Sequence, residues 1–143
     1  MSRADRGDWA RLRAALWPES GAGEHESEIA ALLQAPGATL NLIARDGRGK
    51  ALGFAEAGLR HDYVNGCKTS PVAFLEGIYV LPEARRKGVA GALVAAVEDW
   101  ARQQGCREFA SDALADNIDS HAMHAALGFT ETQRVVFFRK TLG

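Results

Sequence analysis

Apolar positions recur along this chain with two different periods. In residues 8–16, Trp9, Leu12, Ala15 and Leu16 fall three, four and seven apart, which predicts one buried face of a helix. Trp17 and Pro18 stop it. The turn residues SGAG at 20–23 lead to a second helix over 24–34, with Ile29, Leu32 and Leu33 inward, closed by Pro36 and Gly37. This pair reads as a helical flap ahead of a sheet. Residues 39–45 then read as a strand, DGRG at 46–49 as a turn, and 51–59 as the returning strand of a hairpin. A polar stretch of about ten residues, 60–70, is long enough to suggest function. Residues 71–81 form the next strand and 89–104 a long helix with Val89, Leu93, Val97 and Trp100 inward, capped by Gly105. A strand over 107–113, a helix capped by Asp116 or Asn117 and running to Leu127 before Gly128, and a last strand over 130–139 complete the chain. Strands interleaved with helices predict an α+β fold (an α/β mixed sheet), antiparallel early and parallel later.

Composition narrows the classes. The 143 residues fit a single domain, 1–143, with a real core. At 47% hydrophobic, 24% charged and net charge -1, nothing points to nucleic acid or a membrane surface as partner. No apolar run approaches the ~20 residues that span a bilayer. Arg3, Asp5, Arg6 and Asp8 make the N-terminus too polar for a signal peptide, so a cytoplasmic location is expected. Cys67 and Cys106 read as free thiols, and no Cys/His spacing suggests a metal site.

The chemistry concentrates in EGIYVLPEARRKGVAGAL at 76–93. Pro82 ends the strand, because proline has no N–H for a ladder. A basic loop with Arg85, Arg86 and Lys87 follows, then Gly88 and the helix. The first turn of a helix has unpaired N–H groups and a favourable dipole, which together make an anion site, and Gly88 lets backbone approach a ligand closely. A Walker A loop needs G-x-x-x-x-G-K-[ST] and a Rossmann turn needs G-x-G-x-x-G; neither is present. The pattern present is Arg85-x-x-Gly88-x-Ala90 between an apolar strand and an amphipathic helix. It resembles the [Q/R]-x-x-G-x-[G/A] pyrophosphate loop of the GNAT N-acetyltransferase superfamily. The element order over 8–139 is similar to the family's, minus its first strand: about seven residues precede the first helix, so that strand is either very short near residues 2–4 or missing.

Within the superfamily, several blocks resemble the chromosomal-type aminoglycoside 6′-N-acetyltransferases. They are LWP at 16–18, RHDYVNGC at 60–67, SPV at 70–72, FLEGI at 74–78, GCRE at 105–108, ASD at 110–112 and ALGF at 126–129. The resemblance implies acetyl-CoA lying between the third and fourth strands, which splay where a bulge interrupts pairing; Gly77 is a plausible bulge position. Backbone of Ile78, Tyr79 and Val80 is then expected to pair with the pantetheine amides. Arg85 and the N–H groups of Arg86, Lys87, Gly88, Val89, Ala90 and Gly91 are expected to hold the pyrophosphate, with Asn117 near the pantetheine arm.

The implied reaction is direct attack of an amine on the thioester, in which positioning alone is worth up to ~7–11 kcal/mol. An alkyl ammonium with a pKa near 10 must first lose a proton. Glu76 is the expected base, directly or through water. Backbone N–H near Ile78 is placed to polarise the thioester carbonyl. Many family members carry a Tyr four residues before the Gly-Phe of the last helix; His124 stands there in this chain and is the candidate acid, while His121 reads as a surface residue. For a polycationic acceptor the resemblance implies an acidic, ring-lined site: Asp62, Glu76, Asp112, Asp116 and Asp119 with Trp17 and Tyr63. A homodimer is also implied, with the apolar strand around Val135, Val136, Phe137 and Phe138 at its interface and Glu131 reaching the partner's site; the other reading of that strand is a core strand with both faces covered. The same features leave open an acetyltransferase for another small amine, a non-catalytic acyl-CoA sensor and a protein N-terminal acetyltransferase.

Overall fold

The computed structural model describes residues 3–34 and 37–143. Four helices surround one sheet: α1 (Arg3–Leu16), α2 (Ala22–Leu33), β1 (Thr39–Arg45), β2 (Ala51–Arg60), β3 (Val72–Val80), α3 (Val89–Gln103), β4 (Phe109–Ser111) and α4 (Ile118–Ala126), with a 3-10 turn over Pro82–Ala84 after β3. The sheet runs β1-β2-β3-β4, antiparallel through β3 and parallel between β3 and β4, as the alternation of elements predicts. Arg3 and Ala4 are helical, so no strand occupies them; Ser2 lies outside the described residues, as does Pro36, the expected stop of α2.

Both faces of the sheet are covered, and β2 shows how. Alternate residues of a strand point to opposite faces. Ala55 and Ala57 join Leu75, Leu93 and Val97 beneath α3, while Phe54 joins Trp9, Leu12 and Ile29 beneath α1 and α2. Glu56 has the same parity as Phe54, so the strand drives a carboxylate into the α1/α2 layer, 6% exposed. That charge alters the predicted face of α1. Ala15 is exposed, and Arg13, four residues after Trp9, turns inward at 3% exposure to meet Glu56. The buried stripe is therefore Trp9, Leu12, Arg13 and Leu16.

The strand expected over 130–139 does not form. A helix satisfies its own backbone, whereas a strand needs a neighbouring edge, and here the segment lies against none. Val136, Phe137 and Phe138 are 75%, 87% and 92% exposed. Side chains hold the start of the segment: Thr132 Oγ1 donates to Asn65 Oδ1 at 2.9 Å, and Asn65 Nδ2 donates to Gln133.

Glu108 ties the long loop after β2 to the base of β4. Its carboxylate accepts from the Thr69 hydroxyl at 2.5 Å and from the Lys68 and Thr69 N–H groups at 2.8 Å each. These bonds, the Thr69 hydroxyl foremost, hold its pKa below the usual 4.5. The neighbouring Cys67 thiol is pushed up, by burial first and then by Glu108; both cysteines are free. A carboxyl depressed in the folded state contributes stability that is full above its unfolded value and disappears as pH falls through the folded one. Glu108→Gln is thus expected to flatten the decline of urea-unfolding free energy below about pH 4.5; an unchanged slope would show that Glu108 does not couple folding to protons.

Candidate active site

The ladder between β3 and β4 holds three pairs, Ala73 with Phe109, Phe74 with Ala110 and Leu75 with Ser111, and then stops. On the other side of β3, the register against β2 slips between Glu56 and Ala57: Glu56 faces Gly77 and Ala57 faces Leu75. Glu76 is therefore the bulged residue, one position before the glycine expected for it. A bulge of one residue reverses which face the following side chains point to. Leu75 packs beneath α3, yet Gly77 and Tyr79 lie on the α1/α2 side. Beyond Glu76, Ile78, Tyr79 and Val80 keep their pairing to β2 and have no ladder partner toward β4 among the described residues.

The loop after β3 leads into α3. Arg85 folds back on the strand, donating from Nε to the Val80 carbonyl at 2.9 Å and lying 5.4 Å from the Tyr79 ring centre. Arg86, Lys87 and Gly88 are exposed, and both Arg86 (φ 63°) and Gly88 (φ 82°) are left-handed. Ala92 N–H is the first to bond into the helix, to the Gly88 carbonyl at 3.0 Å, so the N–H groups of Gly88, Val89, Ala90 and Gly91 precede the helical ladder and point out of its positive end. Arg85, Arg86 and Lys87 add charge there. Asn117 caps α4, its Oδ1 accepting from Ser120 N–H at 3.2 Å, which leaves its amide N–H₂ as the free half of the side chain's polar end.

On the other side of the bulge is a cleft of about 450 Å³ lined by Arg13, Trp17, Glu28, Leu32, Glu56 and Glu76, with Ala31 and Thr39. Of the residues expected to bind an acceptor, Trp17 and Glu76 meet there. Asp62, Tyr63, Asp112, Asp116 and Asp119 are exposed and do not line this cleft. They sit on loops or the first turn of α4, which the fold does not fold inward. The Glu76 carboxylate is half exposed and accepts from Arg60 Nη2 at 2.8 and 3.1 Å. Arg60 in turn lies over the Phe74 ring at 3.9 Å. Arg13, Glu28, Glu56 and Arg60 were not anticipated from sequence. A single charge within the apolar strand ALGFAEAGL was the available signal for Glu56; nothing local marks the others.

His124 stands at the split between β3 and β4. Its Nδ1 donates to the Ser120 carbonyl at 2.7 Å, which places the lone pair on Nε2, where the Ser111 hydroxyl lies at 2.8 Å. The Phe129 ring closes its flank at 5.1 Å. His121 is partly exposed, with Nε2 donating to the Leu114 carbonyl at 2.9 Å. Among the described residues no group of three or more His, Cys, Asp and Glu has the geometry to hold a metal, and no helix is long and apolar enough to cross a membrane.

Comparison with known proteins adds the following. The profile of the Acetyltransferase (GNAT) family matches residues 9–129. The aminoglycoside N(6′)-acetyltransferase type 1 of Serratia marcescens is 55% identical over 135 residues, covering 94% of this chain and 92% of its own. The apo crystal structure of an aminoglycoside 6′-N-acetyltransferase from Acinetobacter haemolyticus superposes with a TM-score of 0.91 at 48% identity, covering 100% of this chain and 97% of that one. A third, AAC(6′)-Iy solved with the bisubstrate analogue CoA-S-monomethyl-acetylneamine, gives a TM-score of 0.90 at 48% identity over 99% and 95% of the two chains.

Proposed function

We propose that this chain, which belongs to the GNAT acetyltransferase family, transfers the acetyl group of acetyl-CoA to the 6′-amine of aminoglycosides by direct attack in a ternary complex. The observation that carries this reading is the place of Glu76. The one bulged residue of β3 stands between an unpaired strand edge that leads to an anion-binding helix end and a cleft walled by a tryptophan and carboxylates. The relative solved with CoA joined to acetylneamine supports a geometry in which both substrates occupy the site together.

In this reading pantetheine runs along the free edge of Ile78, Tyr79 and Val80 as an added strand. The pyrophosphate rests on Arg85, Arg86, Lys87 and the backbone from Gly88 to Gly91, with the Asn117 amide beside the arm. The acceptor lies in the cleft, a sugar face against Trp17. Its ammonium loses a proton to Glu76 or to a water that Glu76 holds, and Arg60 keeps that carboxylate aimed. The neutral amine adds to the thioester carbonyl, polarised by the N–H near Ile78. As the tetrahedral species collapses, the thiolate leaves and takes the Ser111 hydroxyl proton, which His124, charged to its imidazolium for this step, replaces from Nε2. Asp62, Asp112, Asp116 and Asp119 contribute an outer acidic rim for a polycation, and Tyr63 an exposed ring. The reading further takes residues 1–143 as one domain, located in the cytoplasm and paired as a homodimer. The bare apolar stretch Val135 to Phe138 supports that pairing, with Glu131 reaching toward the partner's site.

The decisive assay is thiol release from acetyl-CoA with two aminoglycosides that differ only in a 6′-amine or a 6′-hydroxyl. Release with the amine alone is expected; equal release with both would move the acetylated position elsewhere, and none with either would remove aminoglycosides as substrates. Glu76→Ala is expected to lower kcat about 100-fold, within the usual range for a lost base, with acetyl-CoA affinity unchanged; an unchanged kcat would take Glu76 out of the chemistry. Gly88→Val forces a branched residue into left-handed backbone and covers the helix end. A folded Gly88→Val protein is expected to show no acetyl-CoA binding by calorimetry, and wild-type affinity would overturn the pyrophosphate assignment.

A further inference from the structure

We propose that Arg13 and His25 are positioning residues for the amine acceptor: through a buried network they fix Trp17 and the Glu28 carboxylate as walls of the cleft beside Glu76. The inference rests on the reading of that cleft as the acceptor site.

A guanidinium that is only 3% exposed must have its donors filled. Arg13 Nη1 donates to both Glu56 oxygens, at 2.6 and 2.5 Å, Nη2 donates to Glu28, and Nε donates to His25 Nδ1 at 3.2 Å. Trp9 Nε1 donates to Glu56 at 2.7 Å and fills more of that carboxylate. The arginine carries donors only, so His25 Nδ1 must be the acceptor and the ring hydrogen must sit on Nε2. Nε2 then donates to the Trp17 carbonyl at 3.2 Å, just past the end of α1, where the same carbonyl also accepts from Ser20 N–H at 3.3 Å. The histidine is thereby neutral, with one tautomer, and clamps the residue that carries the indole.

The indole itself is fixed on three sides. Arg13 lies 4.8 Å from its ring centre, Phe54 meets it edge-on at 6.0 Å, and its far edge presses on Gly77, where a Cβ would come within 2.5 Å of the ring. Gly77 adjoins Glu76, so a displaced Arg13 moves the ring relative to the residue placed at the reacting amine. The charges also fail to cancel inside the network. One guanidinium faces two carboxylates, and the surplus negative charge lies on Glu28, whose side chain is 50% exposed at the cleft. For stability alone, apolar residues of the same volume serve as well as a buried ion cluster. What the cluster adds is a rigid aromatic wall and one aimed negative charge, both suited to an aminoglycoside.

The test uses neamine as acceptor, thiol release for turnover and calorimetry for acetyl-CoA binding. His25→Leu removes the donor to the Trp17 carbonyl, whereas His25→Gln supplies an amide N–H in its place. His25→Leu is expected to lower kcat/KM for neamine about tenfold or more, as a misplaced binding group does, with acetyl-CoA affinity within twofold and His25→Gln recovering most of the loss. Equal losses for both substrates, or a His25→Gln protein no better than His25→Leu, would overturn the proposal. If His25→Leu does not fold, the half-exposed Glu28→Gln decides. A selective rise in KM for neamine, with weaker dependence on salt, supports the network; an unchanged KM overturns it. A wild-type protein that binds acetyl-CoA but releases no thiol with neamine would overturn the activity itself, an outcome distinct from an active wild type with unselective variants.

Discussion

The extra residue in β3 is the constraint on which the remainder of the molecule turns. Up to Leu75 the strand is laddered on both sides; after Glu76 it is laddered on one. Two consequences follow from a single inserted position. The edge facing β4 is released, which gives a ligand a strand to pair with, and the facing of Gly77 and Tyr79 is reversed, which brings a glycine under the Trp17 indole. A regular strand of the same length would put a side chain where the indole lies and would keep pairing where the cofactor is proposed to enter.

The second constraint is electrostatic. Parity along β2 sends Glu56 into an apolar layer, and the structure answers with Arg13, then with Trp9, His25 and Glu28. Each added partner satisfies a group that its predecessor left open. The chain of compensation starts in the sheet and ends at the cleft wall. The flap formed by α1 and α2 is thus connected to the sheet by directed bonds as well as by burial of Trp9, Leu12 and Ile29.

What could be read in advance follows the range over which each interaction acts. The bounds of β1 and the start of α3 were legible because turn residues and periodicity are local. The cap of α4 was legible as Asp116 or Asn117 for the same reason, and so was the turn before α3, where Gly88 adopts the left-handed backbone that its type suggests. The bulge was legible only to within one residue, since a register slip belongs to two strands. The inward turn of Arg13 was not legible, because its cause, Glu56, is 43 positions away. Asp62, Asp112, Asp116 and Asp119 have the residue type the expected chemistry needs, and the fold leaves them exposed and outside the cleft beside Trp17. The strand over 130–139 has the right composition and lacks an edge to join.

That tail has a consequence for how the protein behaves outside its site. Four apolar residues in succession, Val135 to Phe138, half or more bare, form a segment of high β-propensity with its backbone unpaired. For most proteins dilution protects against aggregation. In the homodimer proposed above the segment is covered by the other copy, and the rule reverses, because dilution releases the very species whose tail seeks a foreign edge. Shelf life would then improve with concentration up to the point where pairing is complete.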